Sequence, residues 1–124
     1  MGEYRDIYVK KVFDAEAVAA SGTSTSAVYD LGSLSTTGYF SLQVALTGDG
    51  TATIEYELSN DGVNYMTPSG SSEIITGLVK TSGPGTDGQD IYSFGPILSR
   101  FIRLKVTETG TSDAIALTAY LAIS

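Results

Sequence analysis

Residues 39–47 and 51–58 alternate between apolar and polar side chains with a period of two. Because successive side chains of a β-strand point to opposite faces, this pattern predicts two strands, each with one buried face. The turn sequence Gly48-Asp49-Gly50 between them favours a hairpin. The apolar positions that define the buried face are Phe40, Leu42, Val44, Leu46, Ile54, Tyr56 and Leu58.

Further short segments rich in β-branched and aromatic residues predict the remaining strands. These segments are residues 4–13, 27–31, 63–67, 91–94, 100–107 and 114–123. The connection at residues 15–20 is rich in alanine and is compatible with a helical turn. Residues 21–26 and 81–90 are too poor in apolar groups to pack, so we expect them to form surface loops.

The spacing of these strands predicts the fold class. Seven to eight strands at intervals of about ten residues, without a β-α-β rhythm, indicate an all-β protein. We expect a two-sheet antiparallel β-sandwich or jelly roll that occupies residues 1–124 as one domain. Residues 1–13 are expected to form either an edge strand or an N-terminal arm that adds to a neighbour.

The predicted strand at residues 114–123 has no charged residue on either face. One face is fully apolar, and the other consists of Ala116, Thr118, Tyr120 and Ala122, preceded by Ala114. The outer face of a sandwich strand normally meets water, so this face predicts cover by the N-terminal segment, a long loop or another subunit. A central position covered by the protein's own chain explains the same pattern equally well.

Two further positions suggest contact with a partner protein. Phe101 points outward in the predicted strand 100–107 and Arg103 lies near it, and both residue types are enriched in protein interfaces. We expect such contacts in a homo-oligomer or with a larger protein assembly. The candidate interface residues are Tyr4, Tyr8, Phe101, Arg103, Ala116, Thr118, Tyr120 and Ala122.

Charge and hydropathy argue against several classes of partner. Fourteen acidic and seven basic residues give a net charge of −7, which repels phosphate backbones, so no nucleic acid partner is expected. The apolar segment at 114–123 has about half the length of a membrane-spanning helix, so no membrane partner is expected. The polar residues 1–6 do not have the pattern of a secretory signal.

The chain has no histidine and no cysteine, which removes the commonest general base, the thiol nucleophile and the usual zinc ligands. Glu55 and Glu57 share a strand face, but glutamates on an outer face normally keep a strand soluble. The aspartates of the glycine-rich turns fit no known calcium loop and suit turn geometry. These are Asp49, Asp61, Asp87 and Asp90. We therefore predict no enzyme activity, no catalytic residue, no metal site and no cofactor.

Tyrosine is abundant, and Tyr39, Tyr65, Tyr92 and Tyr120 lie where an outward ring is possible. Such rings can stack against sugars, so a carbohydrate-binding or adhesion module is the leading alternative function. Tyrosine also suits half-buried strand surfaces, and tryptophan, the stronger indicator of sugar stacking, is absent.

Two segments carry a resemblance to a known group of proteins. Residues 54–65 read Ile-Glu-Tyr-Glu-Leu-Ser-Asn-Asp-Gly-Val-Asn-Tyr, and residues 100–106 read Arg-Phe-Ile-Arg-Leu-Lys-Val before a final apolar strand. Over residues 39–124 this order resembles small β-sandwich virion accessory proteins of tailed bacteriophages. The resemblance implies a capsid decoration, cement or tail-associated protein that is made in the host cytoplasm. It also implies attachment to a major capsid or tail protein within a symmetric oligomer, and no catalytic residue carries over.

Overall fold

A computed structural model of the protein describes residues 7–33, 38–70 and 72–124. In these residues the secondary structure consists of β-strands and a short 3-10 turn at Leu31–Ser33. The strands are β1 (Tyr8–Val18), β2 (Thr23–Thr25), β3 (Tyr29–Asp30), β4 (Phe40–Gly48), β5 (Ala52–Ser59), β6 (Glu73–Leu78), β7 (Gln89–Phe94), β8 (Phe101–Glu108) and β9 (Ile115–Ile123).

The strands pair in two sheets, which we call the first and the second sheet. The first sheet has the order β1-β9-β4-β7, and the second has the order β2-β8-β5-β6, with β3 also paired to β8. All of these neighbours are antiparallel. The prediction of an all-β protein with two antiparallel sheets, consistent with a β-sandwich, is therefore confirmed.

The alternation in the sequence matches the side chains that lie between the two sheets. The apolar positions predicted to point inward in β4, β5, β8 and β9 are all buried. Burial of apolar surface contributes ~25 cal/mol per Å², so this shared layer is the main source of stability. Its largest fully buried apolar side chains are Leu42, Leu46, Ile54, Leu78, Ile102, Leu104, Leu117 and Leu121.

The segment 21–26 differs from the prediction of a loop. Thr23–Thr25 form β2, because their backbone pairs with the edge of β8 from Thr107 to Lys105. Threonine suits strands, and a short polar strand is typical of a sheet edge. Low apolar content was therefore a poor guide here, since an edge strand needs a partner backbone more than it needs apolar side chains.

The alanine-rich segment 15–20 also differs from the prediction. Instead of forming a helical turn, the chain continues β1 to Val18. The pairing of β1 with β9 shifts register between Lys11 and Glu16, and Ala15 has a φ of 47°. These features mark a β-bulge, which the backbone N–H of Ala15 helps to fix by donating to Thr118 Oγ1 at 3.0 Å.

The predicted strand at 63–67 is reduced to a single bridge between Met66 and Leu58. The strand that pairs with β5 along this edge is β6, which the sequence pattern did not predict. The first part of the predicted strand 4–13, including Tyr4, lies outside the described residues.

The antiparallel strands define two ends of the sandwich. We call one of them the turn end, because four connections lie there. The strand residues that flank these connections are paired with one another within each sheet. At the opposite end lie the connections 60–70 and 95–100, together with the first residues of β1 and β4. The turn-end connections are residues 19–22, 49–51, 79–88 and 109–114.

Candidate interaction surfaces

The four β9 residues predicted at an interface lie on the outer face of the first sheet. β9 runs between β1 and β4, so its inward face is in the core. No described element covers its outward face, since Tyr120 is 38% exposed and the other three residues are half-buried between neighbouring strands. These residues are Ala116, Thr118, Tyr120 and Ala122.

The other predicted interface residues lie elsewhere. Phe101 and Arg103 point outward from β8, on the outer face of the second sheet. Tyr8 begins β1 and is 41% exposed, whereas Tyr4 lies outside the described residues. Because the outer faces of the two sheets point in opposite directions, the structure does not bring the predicted residues together in one surface.

The outer face of the first sheet carries little charge. Its charged pair belongs to β1, where Lys11 Nζ lies 2.9 Å from Asp14 Oδ1 and 5.6 Å from the centroid of the Tyr120 ring. The outward residues of the other three strands are all uncharged, so this face can pack against protein without burying an unpaired charge. They are Ser41, Gln43, Ala45, Thr47, Gln89, Ile91, Ser93, Ala116, Thr118, Tyr120 and Ala122.

The outer face of the second sheet is charged, but its charges pair with one another. Glu57 and Arg103 are cross-strand partners, with 2.7 Å between Oε1 and Nε. Lys105 Nζ lies 3.7 Å from Glu55 Oε1 and 3.9 Å from Glu57 Oε2. The Arg103 guanidinium also lies 4.3 Å from the centroid of the Tyr65 ring. These charged groups are therefore engaged within the chain.

Exposed large hydrophobic side chains concentrate at the end of the sandwich opposite the turn end, which we call the apolar end. Among the described residues, eleven large hydrophobic side chains are exposed, and eight of them lie there. Leu98 is the most exposed of all, at 92%. The eight residues are Ile7, Tyr8, Val9, Tyr39, Val63, Met66, Ile97 and Leu98.

A groove of about 350 Å³ crosses the apolar end between the connections 60–70 and 95–100. Leu98 lines this groove while most of its side chain is in solvent. The apolar lining consists of Leu58, Met66, Pro68, Ile97 and Leu98, and the polar lining consists of Ser59, Asn60, Asp61, Asn64 and Ser99.

Asp61 fixes one wall of this groove. Its carboxylate accepts hydrogen bonds from the backbone N–H of Asn64 at 2.8 Å and of Val63 at 2.9 Å. The side-chain amide of Asn64 and the hydroxyl of Ser59 donate to it as well, at 2.9 and 2.8 Å. These bonds hold the pKa of Asp61 well below its usual range. Asp61 therefore stabilises the conformation of its own connection, residues 60–70.

A second groove, of about 270 Å³, joins the apolar end to the outer face of the first sheet. Ile7 and Tyr39 line it from the apolar end, and Ser41, Ser93 and Ala122 line it from the sheet. None of its lining residues has a charged side chain. The apolar end and the outer face of the first sheet are therefore one continuous surface.

The turn end is organised by one buried carboxylate, that of Glu108, which is 1% exposed. Its Oε1 accepts hydrogen bonds from the backbone N–H of Ser21 at 3.0 Å and of Thr111 at 2.8 Å. Its Oε2 accepts them from Thr51 at 2.8 Å and from Gly110 at 2.6 Å. The bonds from Thr51 and Ser21, with those from Gly110 and Thr111, lower the pKa of Glu108 to about 2. One side chain thus ties three connections together.

The strand predicted from the sequence ended at residue 107, so this role of Glu108 was not predicted. A signal was present, because position 108 continues the inward series of Ile102, Leu104 and Val106. A carboxylate in phase with core positions indicates a buried acid that needs partners.

The rest of the turn end is acidic. Asp49, Asp87 and Asp113 lie in its connections, and Lys80 forms an ion pair with Asp49. None of the exposed large hydrophobic side chains of the described residues lies there. The two ends therefore differ in surface chemistry.

Two glutamates and four aspartates were weighed as catalytic or metal-binding groups. Glu55 and Glu57 contact Lys105 and Arg103, as described above. The part of the chain that the structure describes contains no cluster of three or more histidine, cysteine, aspartate or glutamate side chains suited to a metal ion. In the same residues, no helix has the length and hydrophobicity that crossing a bilayer requires.

The four tyrosines considered as a sugar platform do not share a surface. Tyr92 points between the sheets, where burial and its hydrogen bond to Asp90, at 2.9 Å, raise the pKa of Tyr92 to about 12. Tyr65 lies on the second sheet beneath Arg103, Tyr120 lies on the first sheet, and Tyr39 lies at the apolar end.

Comparisons with known proteins show the fold. No protein-family model and no curated protein matches the chain. Among solved structures, the SPBc2 prophage-derived protein YomS matches with a TM-score of 0.50 and 15% identity, over 95% of this chain and 92% of that one. The PBSX exported protein XepA matches with a TM-score of 0.60 and 12% identity, over 94% of this chain and 37% of that one. VP2, from a subviral particle of infectious bursal disease virus, matches with a TM-score of 0.56 and 10% identity, over 95% of this chain and 32% of that one.

The same fold also occurs in PliG, a periplasmic inhibitor of g-type lysozyme from Aeromonas hydrophila, with a TM-score of 0.50 and 13% identity over 95% of this chain and 86% of that one. This chain spans about a third of the length of XepA and VP2. At such identities similarity extends to the fold and not to the function. At the level of the fold, the chain is therefore similar to two phage-derived proteins and to VP2, and the more specific resemblance to virion proteins of tailed bacteriophages stays a prediction.

Proposed function

We propose that this chain is a non-enzymatic structural protein of a phage or virus particle. It acts through protein–protein contacts within a symmetric assembly, as a capsid decoration protein or a tail-associated protein. Its partners are a major capsid or tail protein and other copies of itself. In this proposal it is made in the host cytoplasm and resides in the virion.

The apolar end carries this proposal. Monomeric proteins seldom expose an apolar patch larger than a few hundred Å² unless it binds another molecule. Here Val63, Met66, Ile97 and Leu98 are each more than half exposed, and they lie at or beside one groove. Leaving these side chains in water has a cost in free energy that contact with another protein would remove.

The groove suits a protein partner better than a small molecule. Sites for small molecules usually enclose the ligand and direct several polar groups towards it. In this groove the carboxylate of Asp61 is directed instead to its own connection, through Asn64, Val63 and Ser59. The apolar side chains that remain available protrude from the surface.

Fold similarity gives a second line of support. Two of the similar structures are phage-derived proteins, YomS and XepA, and a third is VP2 from a subviral particle. Those names apply to those proteins, and the fold is equally compatible with attachment to a head or to a tail. The uncharged outer face of the first sheet, continuous with the apolar end, would extend the contact area.

Association with particles tests the proposal. The chain would be co-expressed with the capsid and tail proteins of the same genome, and particles would be separated by sedimentation. We expect the wild-type chain to sediment with particles and immunogold microscopy to locate it on the head or the tail. The double variant Met66→Asp with Leu98→Asp is expected to remain in the soluble fraction.

Ile91→Asp is the matched control, because Ile91 is as exposed as Ile97, at 61%, but lies on the first sheet away from the groove. Circular dichroism would establish that all variants are folded. Absence of the folded wild-type chain from particles contradicts the proposal. Calorimetric binding of a glycan in its place would favour the carbohydrate-binding alternative.

A further inference from the structure

We infer that the apolar end binds a second copy of this chain, with Leu98 of each copy inserted into the groove of the other. The inference rests on the surface that carries the proposed function, and it names a partner and a geometry for that surface.

The first reason is the arrangement of a protrusion beside a hollow. Leu98 is 92% exposed and stands at the edge of a groove whose other apolar walls include Met66, Pro68 and Ile97. In a two-fold dimer each residue of a contact occurs twice, so a protrusion and a matching hollow on one surface satisfy each other. A leucine side chain entering this groove meets apolar atoms and removes its own surface from water.

The second reason is the distribution of charge. A chain with a net charge of −7 can approach its own copy at low electrostatic cost where acidic groups are few or already paired. Among the described residues of the apolar end, Asp61 keeps its charge although it is hydrogen-bonded, whereas the charge of Asp30 is paired, with 3.3 Å between its Oδ1 and Arg100 Nε. By contrast, contact through the turn end would bring together the acidic connections of both copies.

The geometry of such a dimer also separates the acidic ends. A nine-residue strand such as β9 is ~30 Å long. Two sandwiches joined at their apolar ends therefore place their turn ends ~60 Å apart, many times the ~8 Å over which charges interact at physiological ionic strength.

The size of the surface limits the strength of the contact. Four strands ~4.8 Å apart are ~19 Å wide, and two sheets ~10 Å apart are ~20 Å thick with their outward side chains, so the end of the sandwich has an area of roughly 400 Å². A standard protein interface buries about 800 Å² on each partner. We therefore expect a weak dimer, and a larger contact on a particle can displace it.

Cysteine cross-linking tests the geometry directly, because the chain contains no cysteine of its own. Leu98→Cys and Met66→Cys would be made as separate proteins and mixed under mild oxidation. Since each protein has one thiol, a disulfide between the two different variants can form only between copies. The matched control replaces Leu98→Cys with Ile91→Cys, whose side chain is also exposed but lies outside the groove.

We expect the Leu98→Cys and Met66→Cys mixture to form mixed disulfides at least tenfold faster than the control mixture. In parallel, analytical ultracentrifugation of the wild-type chain from micromolar to millimolar concentration is expected to show a monomer–dimer equilibrium. Leu98→Asp should weaken that equilibrium at least tenfold, and Ile91→Asp should leave it unchanged.

Equal rates of cross-linking in the two mixtures would overturn the inference, and so would a wild-type monomer at millimolar concentration or a dimer that Leu98→Asp does not weaken. These results leave the proposed function open, because association with particles is measured separately. A dimer with the expected cross-link, but no association with any particle, would support the inference and contradict the proposed function.

Discussion

The two ends of this sandwich are formed by the same antiparallel strands, yet they have opposite surface chemistry. The turn end is acidic, and Glu108 ties three of its connections together through four backbone hydrogen bonds. The apolar end has most of the exposed large hydrophobic side chains among the described residues. Strand pairing does not require this difference, so it reflects the sequences of the connections. A buried carboxylate joins the connections of one end, and the other end carries most of the exposed apolar surface of the described residues.

Among the tests of this comparison, Glu108→Gln is expected to have the largest effect on the free energy of unfolding. Each oxygen of Glu108 accepts two backbone N–H groups, so the variant keeps one acceptor and turns an amide N–H₂ towards the other two donors. We expect a clear fall in the free energy of unfolding, measured by urea denaturation at neutral pH. Glu73→Gln, at an exposed position of β6, is the control and should change little. Equal stability of the two variants would contradict the role of Glu108.

The pH dependence of stability gives a second test of the turn end. The pKa of Glu108 falls from an ordinary 4.5 to about 2 on folding, so the unfolded state binds the proton more readily. The stability that the carboxylate contributes is therefore fully present above about pH 4.5 and is lost as the pH falls towards 2. The difference in unfolding free energy between wild type and Glu108→Gln should be constant above that range and shrink within it. A difference that does not change with pH would contradict the assignment.

A pair of glycines compares the two ends directly. Gly83 at the turn end and Gly70 in the connection at the apolar end both have positive φ, of 90° and 95°. A Cβ at Gly83 would overlap the carbonyl oxygen of Gln89, whereas a Cβ at Gly70 meets nothing within 4 Å. We expect Gly70→Ala to cost ~1–2 kcal/mol, from the left-handed backbone alone. Gly83→Ala should cost more than ~2 kcal/mol, as thermal unfolding would show. Equal costs would mean that the turn end is no more tightly packed.

The smallest effect on stability is expected at the apolar end itself. Leu98→Ser removes a side chain that is 92% exposed, so the free energy of unfolding of the isolated chain should change by no more than ~0.5 kcal/mol. Chemical denaturation at low protein concentration, where the chain is monomeric, measures this change. A large loss would show that Leu98 supports the fold, and the contrast between the ends would be weaker than described.

Much of the fold could be predicted because alternation reports burial directly. The inward faces of β4, β5, β8 and β9 follow from their period of two, and with them the two-sheet arrangement. β2 and β6 were missed because they are edge strands, whose formation depends on a neighbouring backbone more than on their own side chains. The bulge at Ala15 was missed because it depends on a hydrogen bond to Thr118, over a hundred residues away in sequence.

The surfaces were harder to predict than the strands. Alternation identified the uncharged outer face of β9, but the sequence could not show that Phe101 and Arg103 lie on the opposite side of the sandwich. Tyr8 was predicted at an interface and lies at the apolar end, but the groove of that end was missed, because Met66 and Leu98 come from different connections and meet through strand order. The four donors to Glu108 likewise come from positions 21, 51, 110 and 111. Strand order is a property of the whole fold, which a local pattern does not contain.

The bonds made by Glu108 have a consequence for the exchange of hydrogen with solvent. Amides in surface turns usually exchange quickly, because small local motions expose them. The amides of Ser21, Thr51, Gly110 and Thr111 share one buried acceptor, so none of them can open without disturbing the other three. These four turn amides should therefore exchange together and as slowly as amides inside the sheets, and acid should release all four at once.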